Sequence, residues 1–313
     1  MAISRKSRVL LAGLMTVLIA AGAVLFFVIG TTATKVVEDS APEPTSTPRP
    51  LEIFFGDLTA NSLDAADLRR VADFEQPHGI GVFDGTLYVS DWGEDKIYAV
   101  DPNTGDKRLL ADELGGAHDM VLDDEGWIVT PLYKEGRVVR VDRKSGAVEE
   151  LASGFAGPNG IARARSGYYY VSNAKDGTVV KLSPDGKRKL TVARGLKEPA
   201  GIVVDNDNIV RVAQYADPRN PVVQIFDNGK RSVVVRNLAA AESLLYDERK
   251  NLLIGHGDSG RGTVTMFTGR GGLVRVLTTS LPVPLVGPVT DGKYLYLQSA
   301  APGQTGVYRI KLP

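Results

Sequence analysis

From residue 76 onward the chain resembles itself at a period near forty residues, and nothing else in it restricts the fold as strongly. The repeats align at Pro77-His78-Gly79-Ile80, Ala117-His118-Asp119-Met120, Pro158-Asn159-Gly160-Ile161, Pro199-Ala200-Gly201-Ile202, Ala241-Glu242-Ser243-Leu244 and Pro284-Leu285-Val286-Gly287. Their second positions are 40, 41, 41, 42 and 43 residues apart. Each start leads through a polar turn, such as Phe83-Asp84-Gly85, into an apolar strand such as Leu87-Tyr88-Val89. A third strand such as Lys96 to Val100 follows, then a turn such as Asp101-Pro102-Asn103-Thr104-Gly105 and a fourth strand. Four antiparallel strands make one propeller blade, so the pattern predicts an all-β, six-bladed β-propeller.

The sixth repeat stops after Val307-Tyr308-Arg309-Ile310-Lys311-Leu312, without a fourth strand. Leu68 to Phe74 matches the outer strands in pattern and stands just before the first inner strand. If it completes the last blade, the seam leaves no open sheet edge and the repeats close into a ring over residues 68–313. Two stacked sandwiches would not give six equal periods with a complementary missing strand.

The N-terminal part reads differently. Arg5, Lys6 and Arg8 precede an uncharged stretch from Val9 to Gly30, whose 22 residues are enough to cross a bilayer as a helix. Residues 1–8 are then a cytoplasmic basic tail, 9–30 a transmembrane anchor, and all that follows is extracytoplasmic. The alternative is a cleaved signal peptide with its cut near Thr31-Thr32-Ala33, although such apolar regions usually run only roughly 7–15 residues. Residues 31–67 form a linker, with prolines alternating through 39–50 that favour an extended spacer.

Lys plus Arg equals Asp plus Glu at 37 each, so no net field draws the chain to nucleic acid. The absence of Cys removes disulfides, thiolate ligands, a thiol nucleophile and a lipidated cysteine together. No phosphate loop, nucleophile elbow or zinc-protease helix motif is present.

The run from Pro77 to Gly105, with Pro-His-Gly-Ile-Gly-Val, Leu-Tyr-Val-Ser-Asp and Lys-Ile-Tyr-Ala-Val-Asp-Pro-Asn-Thr-Gly, resembles NHL-type repeats and the SMP-30/gluconolactonase-like superfamily. Virginiamycin B lyase-like proteins are similar in their Pro-His-Gly-Ile repeats, but have seven blades. The resemblance implies a propeller and leaves the function open, because such folds include hydrolases, lyases and plain binding modules. In the gluconolactonase-like enzymes a divalent metal is held by a Glu of the first blade, an Asn of the third and an Asp of the fourth. The matching positions here are His78, Asn159 and Ala200, so two of the three ligands differ. A second resemblance, to peptidyl-hydroxyglycine lyase propellers, implies zinc held by histidines of several blades.

In a four-stranded meander the inner-strand starts and second-strand ends share one face, around one mouth of the channel. That places His78, His118, Asn159 and Glu242 in an inner ring, with Tyr133, Tyr215, His256 and Asp258 around it. The four inner residues form a candidate site for a divalent ion, Zn, Ca or Mg, with Ala200 and Leu285 leaving a gap. The competing expectation is a water-filled rim whose polar groups satisfy one another. Asp91 and Asn173 read as turn-capping residues, Tyr168 to Tyr170 as strand packing, and Trp92 as a ligand-facing aromatic or a lid on the next blade. Two functions follow: a membrane-anchored platform that binds a small ligand or a protein at the channel mouth, or a metal-dependent hydrolase or lyase.

Overall fold

The computed structural model describes residues 62–313 except 220, 239, 248–250, 259–260, 269–273 and 282–285. The basic tail, the expected transmembrane segment 9–30 and the Pro-rich spacer lie outside the described residues, as does Leu285. Among the described residues no helix is long and apolar enough to cross a membrane.

The described chain forms six four-stranded antiparallel sheets. Blade one comprises Pro77–Phe83, Thr86–Asp91, Lys96–Val100 and Lys107–Ala111. Blades two to five follow the same order, starting from Val121–Leu122, Pro158–Arg163, Pro199–Val204 and Ala241–Tyr246. Blade six is built from Val286–Thr290, Tyr294–Ser299 and Gly306–Lys311, and its outer strand is Arg69–Ala72 from the other end of the chain. Arg69 faces Arg309 and Ala72 faces Val307 in that pair. The inner strand of blade six also touches that of blade one, so the ring is closed.

A strand alternates its side chains between two faces, and in a propeller each face meets a different neighbour. Tyr169 and Val171 pack toward blade two, with Val129 and Val138, whereas Tyr170 packs toward blade four, with Val212 and Ile225. All of them are buried. Each of six apolar clusters among the described residues likewise fills one interface between adjacent blades. Packing begins upstream of residue 68: Leu63 is buried among Leu253, Val264 and Leu277 of blade five and Leu295 and Leu297 of blade six.

The repeated Pro-x-Gly-Ile motif has a steric cause. A Cβ on Gly79 would stand 2.1 Å from the His118 carbonyl oxygen, on Gly160 2.4 Å from that of Ala200, and on Gly201 2.6 Å from that of Glu242. The glycine therefore admits the backbone of the next blade at the height of the rim. Ser90 Oγ ties this contact by accepting from Gly79 N and donating to His118 O, and Ser172 Oγ does the same between Gly160 N and Ala200 O.

Blade two departs from the expected pattern, because its inner strand does not start at Ala117 but is reduced to Val121–Leu122 after an isolated bridge from Ala117 to Leu132. Asp119 stands where the other early blades have glycine. Its carboxylate accepts from Met120 N at 2.8 Å and from Ile161 N of blade three at 3.1 Å, replacing strand pairing with side-chain bonds.

Candidate functional site: the waist of the channel

Because rim residues occupy the same repeat position, the ring carries them to one height around its axis. His78, His118, Asn159 and Glu242 all line two cavities, which makes them the waist of the channel. The outer cavity, about 350 Å³, is the mouth; Gln76, Trp92, Tyr133, Ala174, Glu198, Ala200 and Tyr215 complete it. The inner cavity, about 250 Å³, continues down the channel between Ile80, Met120, Ile161, Ile202 and Leu244 and contains Asp119 and Arg163.

The histidines of blades one and two pack against each other, ring centroids 4.4 Å apart. Trp92 lies 6.0 Å from His78, and Tyr133 6.1 Å from His118. Burial holds His78 down to about 4, against a weaker opposing pull from Asp91, and holds His118 well below the ordinary imidazole value. Both are therefore neutral near pH 7. His78 Nδ1 is buried without a hydrogen-bond partner. Glu242 retains some exposed area because it faces both cavities, but protein surrounds its carboxyl, and burial pushes it up to about 7. No hydrogen bond or ion pair to Glu242 forms among the described residues. Asp119 is raised to about 6, its burial outweighing the two backbone bonds that favour its ionised form.

The mouth has an aromatic wall that arises from the repeat. Trp92, Tyr133, Ala174 and Tyr215 are each 41 residues from the next. All four fix themselves by the same bond, donating their backbone N–H to the carbonyl of Gln76, Gly116, Gly157 and Glu198 in turn. Tyr133 and Tyr215 were expected at the mouth. The equal spacing also marks Trp92 and Ala174, which the motif reading did not connect.

In blades one, three and four the residue just before these positions has a different task. Asp91 accepts from the backbone of Glu75, Gln76 and Gly93, Gln214 accepts from Lys197 N, and Asn173 donates to Thr178 Oγ1. His256 is the blade-five member of this class. It pairs in register with Ala241, as Asp91 does with Pro77, and its Nε2 lies 2.8 Å from Thr265 Oγ1 of its own sheet. It is not among the residues that line either cavity. Asp258 ends the second strand of blade five opposite Arg261, and its side chain lies outside the described residues.

The expected metal set of His78, His118, Asn159 and Glu242 lines one waist without forming a cluster of acidic and imidazole ligands. Among the described residues no three His, Asp or Glu side chains converge to hold an ion. The reason is geometric. The two imidazoles come from adjacent blades and pack against each other at a tilt of 47°, whereas Glu242 comes from blade five, across a six-fold ring from blade two. The alternative set implied by the gluconolactonase-like resemblance does not fit either, because Ala200 brings no donor and His78 is turned against His118.

The architecture is that of a six-bladed β-propeller, and comparison with solved structures agrees. A gluconolactonase from Xanthomonas campestris superposes with a TM-score of 0.65 at 18% identity, over 79% of this chain and 89% of that one. Regucalcin, a calcium-binding protein from Agrobacterium tumefaciens, gives 0.63 at 13% identity, over 81% and 93%. Virginiamycin B lyase from Staphylococcus aureus gives 0.59 at 12% identity, over 79% and 99%. At such identities the shared property is the fold. No family model and no curated protein matches the chain.

Proposed function

We propose that this propeller is an extracytoplasmic binding protein that takes a small molecule into the mouth of its channel. The observation that carries the reading is the waist itself: four repeat-equivalent polar side chains, two of them with unmet hydrogen-bonding capacity, at the floor of an aromatic-walled cavity. A rigid concave site with few polar groups and much apolar wall is the usual form of a ligand pocket, and about 350 Å³ lies at the small-molecule end of the range. Purified full chain, melted with a panel of neutral, anionic and cationic small molecules, is expected to be stabilised by at least one of them. The shift should disappear in His118→Ala, whose side chain is the most enclosed of the waist. Hits that shift wild type and variant alike would place binding elsewhere.

A second reading is a hydrolase or lyase, favoured by the activities named for the gluconolactonase and lyase neighbours and by a buried carboxyl that titrates near neutrality. In its metal-dependent form it has no convergent His, Asp and Glu ligand set among the described residues. Metal analysis of the purified chain is expected to find no divalent ion in stoichiometric amount. One ion per chain, lost in both His118→Ala and Glu242→Ala, would reverse the order of the two readings.

We further propose that residues 9–30 anchor the propeller to the membrane, from the length of that apolar segment and the basic residues before it. Protease added outside intact cells should then release the propeller by cutting in the Pro-rich spacer. Recovery of the protein only from the medium, with a new N-terminus near residue 34, would establish a cleaved signal instead.

A further inference from the structure

We propose that the ligand of the mouth is a small organic cation, its ammonium group seated between the aromatic side chains of Trp92, Tyr133 and Tyr215 and the carboxylate of Glu242; the inference rests on the mouth being the binding site. The charge pattern of the cavity gives the sign. Glu198 and Glu242 line it, and no Lys or Arg does so among the described residues. The histidines of the waist are neutral, so an anion would meet no positive charge there. Glu242 has no counter-charge among the described residues, and a carboxylate held away from water needs either a proton or a cation.

The walls give the chemical class. Indole and phenol rings attract ammonium groups to their faces, most strongly where water is excluded, and several such rings around one anionic group form a cage for primary or quaternary amines. This protein already uses these rings in that way. Lys134 Nζ sits 4.1 Å from the centre of the Trp92 ring, and Lys175 Nζ 4.9 Å from that of Tyr133. Neither lysine lines the mouth whereas both rings do, and Lys134 is paired with Asp95 at 2.7 Å. Tyr215, the third wall, is 47% exposed at the opening. Ala174 at the equivalent position of blade three leaves the gap through which the rest of a ligand would extend.

The test uses choline and its uncharged tert-butyl isostere, in which carbon replaces the ammonium nitrogen, titrated calorimetrically into the full chain in non-ionic detergent. Choline is expected to bind at least about tenfold more tightly than the isostere. Glu242→Gln should remove about that factor and Trp92→Ala a comparable one, with both variants first shown to melt cooperatively. Binding should also tighten from mildly acidic to mildly alkaline buffer as Glu242 ionises, and Glu242→Gln should remove most of this dependence. His78 and His118 stay neutral through that interval, and Asp119, which shares the inner cavity with Glu242, remains in the variant, so the part that is lost belongs to Glu242. Equal affinity for choline and the isostere, choline binding that Glu242→Gln leaves as tight as in the wild type, or no choline binding at all would overturn the proposal. If choline fails while a neutral compound still stabilises the wild type and not His118→Ala, the mouth remains the site and only its cation preference falls.

Discussion

A chain that begins at residue 75 is expected to aggregate on expression, whereas one that begins at residue 62 stays soluble and melts cooperatively. The first truncation removes Arg69–Ala72, the outer strand of the last blade, and leaves Gly306–Lys311 as an unpaired edge whose Val307 and Ile310 are buried in the intact ring. An open edge with apolar neighbours is a template for pairing between molecules. The loss also reaches the core. Ala72 and Phe74 fill the interface of blades six and one, and Lys107 caps the Phe74 ring at 4.5 Å. Leu63, deleted in the same truncation, fills the interface of blades five and six. Emptying two large buried sites costs about 2–5 kcal/mol each, comparable to the whole stability of a typical domain at about 5–15 kcal/mol. The soluble fraction and the sharpness of thermal unfolding decide the matter, and two truncations equal in both would show that the seam strand is dispensable.

The contrast between Phe74 and Leu63 illustrates what could be read in advance. The outer strand was legible because its pattern repeats five other strands and because the last repeat lacked one. Leu63 is a single apolar residue with no periodic neighbour, and only the packed ring reveals what it touches. The waist was legible for the same reason as the seam: His78, His118, Asn159 and Glu242 hold one repeat position, and rotation about an axis preserves height. Ligation, however, depends on angle as well as height. Equal positions in blades two and five lie on opposite sides of the channel, so a ring of donors did not become a coordination sphere.

His256 differs from Tyr133 and Tyr215 by parity. Side chains along a strand alternate, so the second-strand residue that pairs with the start of the inner strand, Asp91 opposite Pro77 and His256 opposite Ala241, braces the sheet, while the residue after it in blade one, Trp92, lines the mouth. His256 falls on the bracing position with Asp91, whereas Tyr133 and Tyr215 fall on the other. The spacing of 41 that joins Trp92 to Tyr133 was present in the sequence throughout. The late inner strand of blade two was less accessible, since Asp119 in the glycine position signals a difference without stating that its carboxylate would bond across to Ile161.

Replacing Glu242 with Gln is expected to stabilise the free propeller at mildly alkaline pH by on the order of 3 kcal/mol, while weakening cation binding. Burial raises this carboxyl from 4.5 to about 7, so the folded chain holds the proton more tightly than the unfolded one. Stability on this account is full below 4.5, falls as pH rises between the two values, and is lowest above 7. Gln reproduces the shape of the protonated acid and cannot ionise. Asp119, raised from 3.8 to about 6, acts in the same direction and remains in the variant. His78 acts in the opposite sense: lowered from 6.5 to about 4, it contributes stability that is complete above 6.5 and lost as pH falls through 4. The wild type should therefore weaken toward both acid and alkali, and the substitution should relieve the alkaline side. Melting both proteins without ligand across that range gives a difference that is near zero below 4.5 and grows to its full value above 7. A difference independent of pH would mean that Glu242 has the same proton affinity in the folded and unfolded chain, and the waist would then hold no carboxyl in need of a cation.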